Sequence, residues 1–229
     1  MALAIFDLDN TLLAGDSDHA WLEFLSTLGI VDGEELRKAN NRYYRDYLDG
    51  KLDMQDFLRF VLAPMARHPR RLLDEWHGQY MRERVLPMIT EASRALVHKH
   101  AVAGDTLLII TATNRFVTGP IAVELGVPTL LATEAECDEN GEFTGRSFGI
   151  PCFQKGKVER LRQWLDARGM PWEENLASAY FYSDSHNDLP LLELVGNPVA
   201  VDPDPTLAQV AEERAWPILS LHGPCHPLH

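Results

Sequence analysis

The sequence predicts an α/β protein: a doubly wound, mainly parallel sheet of Rossmann-like kind, with a helical domain inserted after its first strand. Continuously apolar runs at residues 2–6, 106–111 and 179–183 have the length and lack of alternation expected of strands buried on both faces. From residue 87 onward such runs alternate with segments of helical period, as repeated βα units do. Between residues 13 and 86 helix follows helix, with few β-branched runs.

Residues 2–6 form the first strand, and the chain leaves it through Asp7-Leu8-Asp9-Asn10-Thr11. The insertion spans residues 14–86, with the core made of residues 1–13 and 87–229. Apolar side chains recur at helical spacing in Trp21, Leu22, Phe24, Leu25 and Leu28, in Leu36, Tyr43, Tyr44 and Tyr47, and in Phe57, Leu58, Val61 and Leu62. Gly29, Gly33 and Gly50 separate these helices, and His68-Pro69 opens another through Arg84. At this spacing the three tyrosines belong to the core of the insertion, with an aromatic pocket beneath it as the alternative. Arg70-Arg71 and Arg82 to Arg84 read as solvated helix faces.

In the second part of the core the pattern gives a helix over 88–100, a strand over 106–111, and a helix from near Asn114 to Gly126. A short strand over 129–132 and a hairpin about Asn140-Gly141 follow, then a helix over 157–168. The strand at 179–183, a helical stretch over 189–195, a strand over 199–201 and a turn at Pro203-Asp204-Pro205 complete the reading.

A formal net charge of −13 repels nucleic acid and anionic membrane surfaces, which excludes a nucleic-acid partner. An apolar stretch of membrane-spanning length is lacking. Cys137, Cys152 and Cys225 are widely spaced and show no paired pattern, as reduced thiols of a cytoplasmic protein do. An anionic small substrate remains compatible with the charge, because a metal ion and a few cations reverse the field within one cleft.

In open parallel sheets ligands bind where strands end, and four chemically distinctive stretches follow the apolar runs or open a helix. Asp7 and Asp9 point the same way at the end of the first strand, which suits one carboxylate to attack and the other to transfer a proton. The alternative for Asp9 and Asn10 is a local turn satisfied by their own side chains. Thr111-Ala112-Thr113-Asn114 offers a hydroxyl beside small residues whose N–H groups can approach an anion. Lys157, at a helix start, is a compact cation for a phosphate oxygen. Asp184-Ser185-His186-Asn187-Asp188 supplies carboxylates on a turn, a donor set suited to Mg2+.

In this order the four stretches resemble the signature motifs of the haloacid dehalogenase superfamily, in its phosphoserine-phosphatase-like branch, over nearly the whole chain. The resemblance implies Asp7 as a nucleophile that becomes an aspartyl phosphate, and Asp9 as general acid and then base. It implies Thr111 and Lys157 as holders of the phosphoryl oxygens. Mg2+ would be bound by Asp7, the main-chain carbonyl of Asp9, and Asp184, with Asp188 and Asn187 in support. The inserted helices would be the cap that closes over substrate. Asp7, Asp9, Asp184 and Asp188 outnumber the charges that Mg2+ and Lys157 bring, so one acid must hold a proton, and Asp9 is the one whose proton is useful.

The chain departs from phosphoserine phosphatases where those enzymes grip their substrate. Gly50 to Asp53 matches their Gly-Lys-Leu-Asp stretch, but the arginine that holds the substrate carboxylate falls on Val61. Arg59 stands on another side of that helix. Their amine-binding glutamate falls on Asp16, so Asp16, with Ala112 and Asn187, is a candidate substrate contact. Asp18 and His19 are read as further substrate contacts, with the N-cap and first turn of a helix through Leu28 as the alternative for them and for Asp16. The expectation is a Mg2+-dependent phosphatase of a small phosphorylated metabolite, an amino-alcohol phosphate such as histidinol phosphate. The alternatives are a phosphoserine phosphatase, a phosphotransferase, or a non-catalytic phosphate sensor. Cys152 and Gln154 shape the loop before Lys157, and the tail His222 to His229 reads as irregular packing rather than a metal site.

Overall fold

The computed structural model describes residues 2–223. Strand β1 (Leu3–Phe6) lies at the centre of a seven-stranded sheet, between β2 (Thr106–Asn114) and β5 (Tyr180–Ser183). Beyond β2 come β3 (Thr129–Cys137) and β4 (Phe143–Phe148), and beyond β5 come β6 (Asn197–Val201) and β7 (Ile218–Leu219). All pairings are parallel except that of β4, joined to β3 by the hairpin at Asn140-Gly141.

Period-two alternation divides β1 between two apolar clusters. Leu3 and Ile5 pack with Leu108, Ile110 and Phe181 against α8 (Lys155–Asp166), α9 (Trp172–Ser178), α10 (Leu189–Leu192) and α11 (Pro205–Glu213). Ala4 and Phe6 join Leu107, Ile109 and Tyr182 on the other face, with α6 (Glu91–Val102) and α7 (Arg115–Glu124). That second cluster extends without a break into the insertion through Leu36, Leu58, Val61, Leu62, Met65, Leu73 and Tyr80.

The insertion holds α1 (Ser17–Thr27), α2 (Gly33–Leu48), α3 (Met54–Leu62) and α4 (Arg70–Tyr80), then a π-helical turn, Met81–Val85, and α5 (Leu86–Met88). Asp16, Asp32 and Asp53 cap the first three helices, each accepting from backbone N–H groups of the first turn. The two chain crossings are tied by a bridge between Leu13 and Ile89 and by the Ala14 N–H on the Met88 carbonyl, 2.8 Å.

Several elements differ from the sequence reading. α11 and α9 are helices where the sequence suggests a turn and no element. Asp204 is the N-cap of α11 and Pro205 its first residue, so the second of the two prolines that suggest a turn begins a helix. α9 has only seven residues, too few to establish a period. β7, with two residues, is too short for any pattern to announce it. β2 and β3 run on to Asn114 and Cys137, α6 begins three residues later than expected behind a Thr90 cap, and α10 is a single turn. Arg70 is half-buried rather than on a solvated face: its guanidinium carbon lies 4.6 Å from the Phe143 ring centre and 5.1 Å from that of Phe116. Of the three tyrosines only Tyr43 is core, edge-on to Phe57 with its hydroxyl on Asp56, 2.9 Å; Tyr44 is exposed. Among the described residues no helix is long and apolar enough to cross a membrane.

Candidate active site

The parallel register that seats β1 between β2 and β5 also brings the three strand ends together. The Asp7 N–H continues the ladder onto the Tyr182 carbonyl, 2.9 Å, and holds the residue at the sheet's edge. Beyond it the chain turns sharply, with the N–H groups of Leu12 and Leu13 both on the Leu8 carbonyl and Asn10 at φ +55°. An asparagine tolerates this left-handed backbone. The turn lets Asp9 face the start of α1, where one carboxylate oxygen accepts the Ser17 N–H, 2.7 Å, and the other accepts the Thr113 hydroxyl, 2.8 Å. Thr111 donates to that second oxygen at 3.5 Å and accepts the Thr113 N–H.

Lys157, in the first turn of α8, is almost wholly buried and its Nζ donates to Asp7 at 2.8 Å and to Asp188 at 2.7 Å. Asp188 accepts the Ser183 hydroxyl at the same oxygen, 2.7 Å. Thr11 locks the Asp184 loop to the β1 turn: its hydroxyl donates to Asp184, 2.9 Å, and accepts the Asp184 N–H, 3.0 Å. Asn187 accepts from Gln154, 2.8 Å, and donates to the Tyr47 carbonyl of α2, 3.2 Å. The structure thus brings Asp7, Asp9, Thr111, Lys157, Asp184, Asn187 and Asp188 to one edge. Ala112 lies half-buried within β2, one residue from Thr111. Asp16 is exposed; one of its oxygens caps α1 on the His19 N–H, 2.9 Å.

Burial raises the Asp7 pKa to about 6, with Asp188 adding to the rise and Lys157 opposing it. Burial, then the charge on Asp16, takes Asp9 to about 7 against the hydrogen bonds from Ser17. Asp184 is held well above the usual carboxylate range by burial and by Asp7. Burial disfavours the charge on Lys157, but Asp188 and Asp7 outweigh it and raise its pKa. One lysine therefore serves a crowd of acids.

Whether the residues fit a metal ion turns on the donors. Asp7 and Asp184 each have one oxygen committed, to Lys157 and Thr11 respectively, and their mutual repulsion is what a divalent cation relieves. Among the described residues no three His, Cys, Asp or Glu side chains converge on one point. A cation here would need carbonyl, water and substrate oxygens to complete its shell, as Mg2+ prefers. The donor set fits Mg2+, which Asp7 and Asp184 could hold through carboxylate oxygens outside their bonds to Lys157 and Thr11.

Sequence reasoning did not single out Thr11, Thr113, Ser183 or Ser185, because a hydroxyl in a strand end or turn has an ordinary local use. Asp18, read as a substrate contact or a first-turn acid, is buried, with one oxygen on the Asn114 amide, 3.0 Å, and the other without a partner among the described residues. Burial, Asp16 and Asp9 hold its carboxyl well above the usual range. His222 reaches the Asn10 carbonyl, 3.2 Å, while Cys225, His226 and His229 lie outside the described residues.

Residues 4–193 match the haloacid dehalogenase-like hydrolase family. The chain is 46% identical over 218 residues to a histidinol-phosphatase of Neisseria meningitidis, covering 95% of this chain and 98% of that one. It is 32% identical over 235 residues to a phosphoserine phosphatase of Mycobacterium tuberculosis, covering 95% of this chain and 70% of that one. Its fold superposes on a protein of unknown function from Bordetella pertussis Tohama I with a TM-score of 0.89 and 42% identity, over 96% and 98% of the two chains. A substrate-bound phosphoserine phosphatase shares the fold at a TM-score of 0.69 and 16% identity, over 96% and 92%.

Proposed function

Because the chain belongs to the haloacid dehalogenase-like hydrolase family, we propose that it hydrolyses a small phosphomonoester through an aspartyl phosphate at Asp7, and that its substrate is an amino-alcohol phosphate such as histidinol phosphate. The Asp7 carboxylate attacks phosphorus and displaces the alcohol, which takes its proton from Asp9. Asp9, now ionised, accepts a proton from water as the water attacks phosphorus, which frees phosphate and restores Asp7. Lys157 and the Thr111 hydroxyl hold phosphoryl oxygens, and the Lys157 charge favours the ionised form of Asp7 from 2.8 Å. Mg2+, when bound by Asp7, Asp184 and the Asp9 carbonyl, supplies further positive charge to those oxygens.

The substrate class rests on one observation. On the side of Asp9, where the leaving alcohol must lie, stand Asp16 and Asp18, and among the described residues no Lys, Arg or His side chain pairs with any of the three. A substrate carboxylate there would stand among three acids. Val61, at the place of the family's carboxylate-binding arginine, is buried in the apolar core, and the exposed Arg59 faces Asp56 at 3.7 Å. Asp16 has an oxygen outside its capping bond to meet an ammonium group. The name of the Neisseria relative supports the same class.

Phosphate release from an aryl phosphate with and without Mg2+ tests the reaction, which should vanish on chelation and not return with Ca2+. Histidinol phosphate, phosphoethanolamine and phosphoserine measured side by side test the class. The first two should exceed phosphoserine in kcat/KM by about fivefold, the upper worth of one ion pair to an exposed carboxylate, and Asp16→Ala should erase most of the difference. A clear preference for phosphoserine defeats the assignment.

A further inference from the structure

Most of the insertion is joined to the core too broadly to swing as a single lid. β4 lies under α3 and the Met65–Arg67 turn, and Gly145, at φ +80°, sits where a Cβ would stand 3.1 Å from that of Ala66. Above β4, Gln55 accepts the Ser147 hydroxyl at 3.4 Å, and the Arg70 N–H meets Glu142 at 2.6 Å. The His77 ring meets the Val117 carbonyl, 3.0 Å. α3 and α4 contribute to the same apolar cluster as β1 and α7. Moving them would expose that shared surface to water.

The C-terminal end of α2 is different. Of residues 44–51 only Asp46 and Tyr47 are even half-buried. The segment meets the core through Tyr47: its hydroxyl donates to Ser185 Oγ at 2.7 Å, its carbonyl accepts the Asn187 amide at 3.2 Å, and its ring lies 6.1 Å from that of Phe153. Ser185 and Asn187 belong to the turn that carries Asp184 and Asp188, and Phe153 precedes Lys157 by four residues. This light contact between insertion and core thus lands on the two loops read as the phosphoryl site.

We infer that Tyr47 is a positioning residue that latches residues 44–51 onto the 185–187 turn, so that substrate enters by local displacement of this segment while α3 and α4 stay in place. The inference rests on the reading of Asp7 to Asp188 as the phosphoryl site. Opening the latch costs two hydrogen bonds and little apolar surface, whereas opening the whole cap costs the shared core. The latch also ties access to the geometry of the Asp184 turn.

Hydrogen–deuterium exchange of the full chain, wild type against Tyr47→Phe, tests this. The variant keeps the ring and loses one hydrogen bond, so amides of residues 44–51 should exchange about 3- to 10-fold faster, with α3 and α4 unchanged. The KM for an aryl phosphate should rise by a similar factor, with the single-turnover rate at saturating substrate within about twofold. Ser185→Ala, on the core side, should reproduce the exchange pattern. Unchanged exchange at 44–51, acceleration shared by α3 and α4, or a fall in the single-turnover rate with KM unmoved would each overturn the latch. If wild-type protein releases no phosphate, the phosphatase reading fails, and the exchange arm still decides the latch on its own.

Discussion

Two groups of acids flank the end of β1, and they are handled in opposite ways. Asp7 and Asp188 share a buried lysine, while among the described residues Asp9, Asp16 and Asp18 are met by neutral donors: the Ser17 and His19 N–H groups, the Thr113 hydroxyl and the Asn114 amide. In the first, the lysine opposes the rise that burial imposes on Asp7, as a nucleophile requires. The second leaves protons on its buried members near neutral pH, as a general acid requires, and leaves room for a cation that arrives with the substrate. Charge compensation within the protein thus distinguishes the two halves of the reaction.

The contrast breaks most completely at the nucleophile. Asp7→Asn keeps the shape and loses the ability to form an acyl phosphate, so turnover should fall by about 10⁴-fold or more. Its circular dichroism and thermal melt should match wild type, and wild-type-like phosphate release would end the assignment. Removing the cation is next. Lys157→Ala should lower kcat/KM by about 10²- to 10³-fold and, by leaving Asp7 and Asp188 unpaired, lower stability by about 3 kcal/mol in urea titration.

The uncompensated group is probed by pH. With Asp9 at about 7, its proton is present below that pH and lost above it. Single-turnover formation of the phosphoenzyme from an alkyl phosphate should therefore fall about tenfold per unit above pH 7, as rapid quench would measure. A flat profile from pH 7 to 9 would remove Asp9 as the acid. The smallest effect belongs to Asp18. Its folded pKa is raised, so folding holds its proton above the pH where the unfolded chain releases it, and this costs stability as pH rises past the unfolded value. Asp18→Asn should leave the melting temperature unchanged near pH 4 and raise it by about 2 °C at pH 8. Equal shifts at both pH values would show that Asp18 acts through contacts other than its proton.

How far the sequence disclosed this arrangement depends on the kind of residue. The strand that carries Asp7 and the acidic turn at 184–188 were legible because an ionisable side chain just past an apolar run has few structural uses, and Lys157 because it opens a helix. Thr113 was not, since its role depends on β2 running on to Asn114 through an irregular register with β3. Asp18 looks like any acid in a first helical turn, and only the packing of α1 against Asn114 buries it. Tyr47 shares its helical spacing with the core residue Tyr43, and no period tells which of the two meets a loop 138 residues away.

The apolar cluster that runs from Phe6 through Phe116 to Val61 and Tyr80 bears on how the chain melts. An inserted segment that completed its own interior could unfold alone, giving calorimetry two heat peaks. Here the inserted helices share one apolar cluster with the sheet, so the insertion keeps no closed interior once the sheet is gone, and the sheet loses part of its cover on that face. Heat should be absorbed in one cooperative step, with catalytic capacity and fold disappearing at the same temperature.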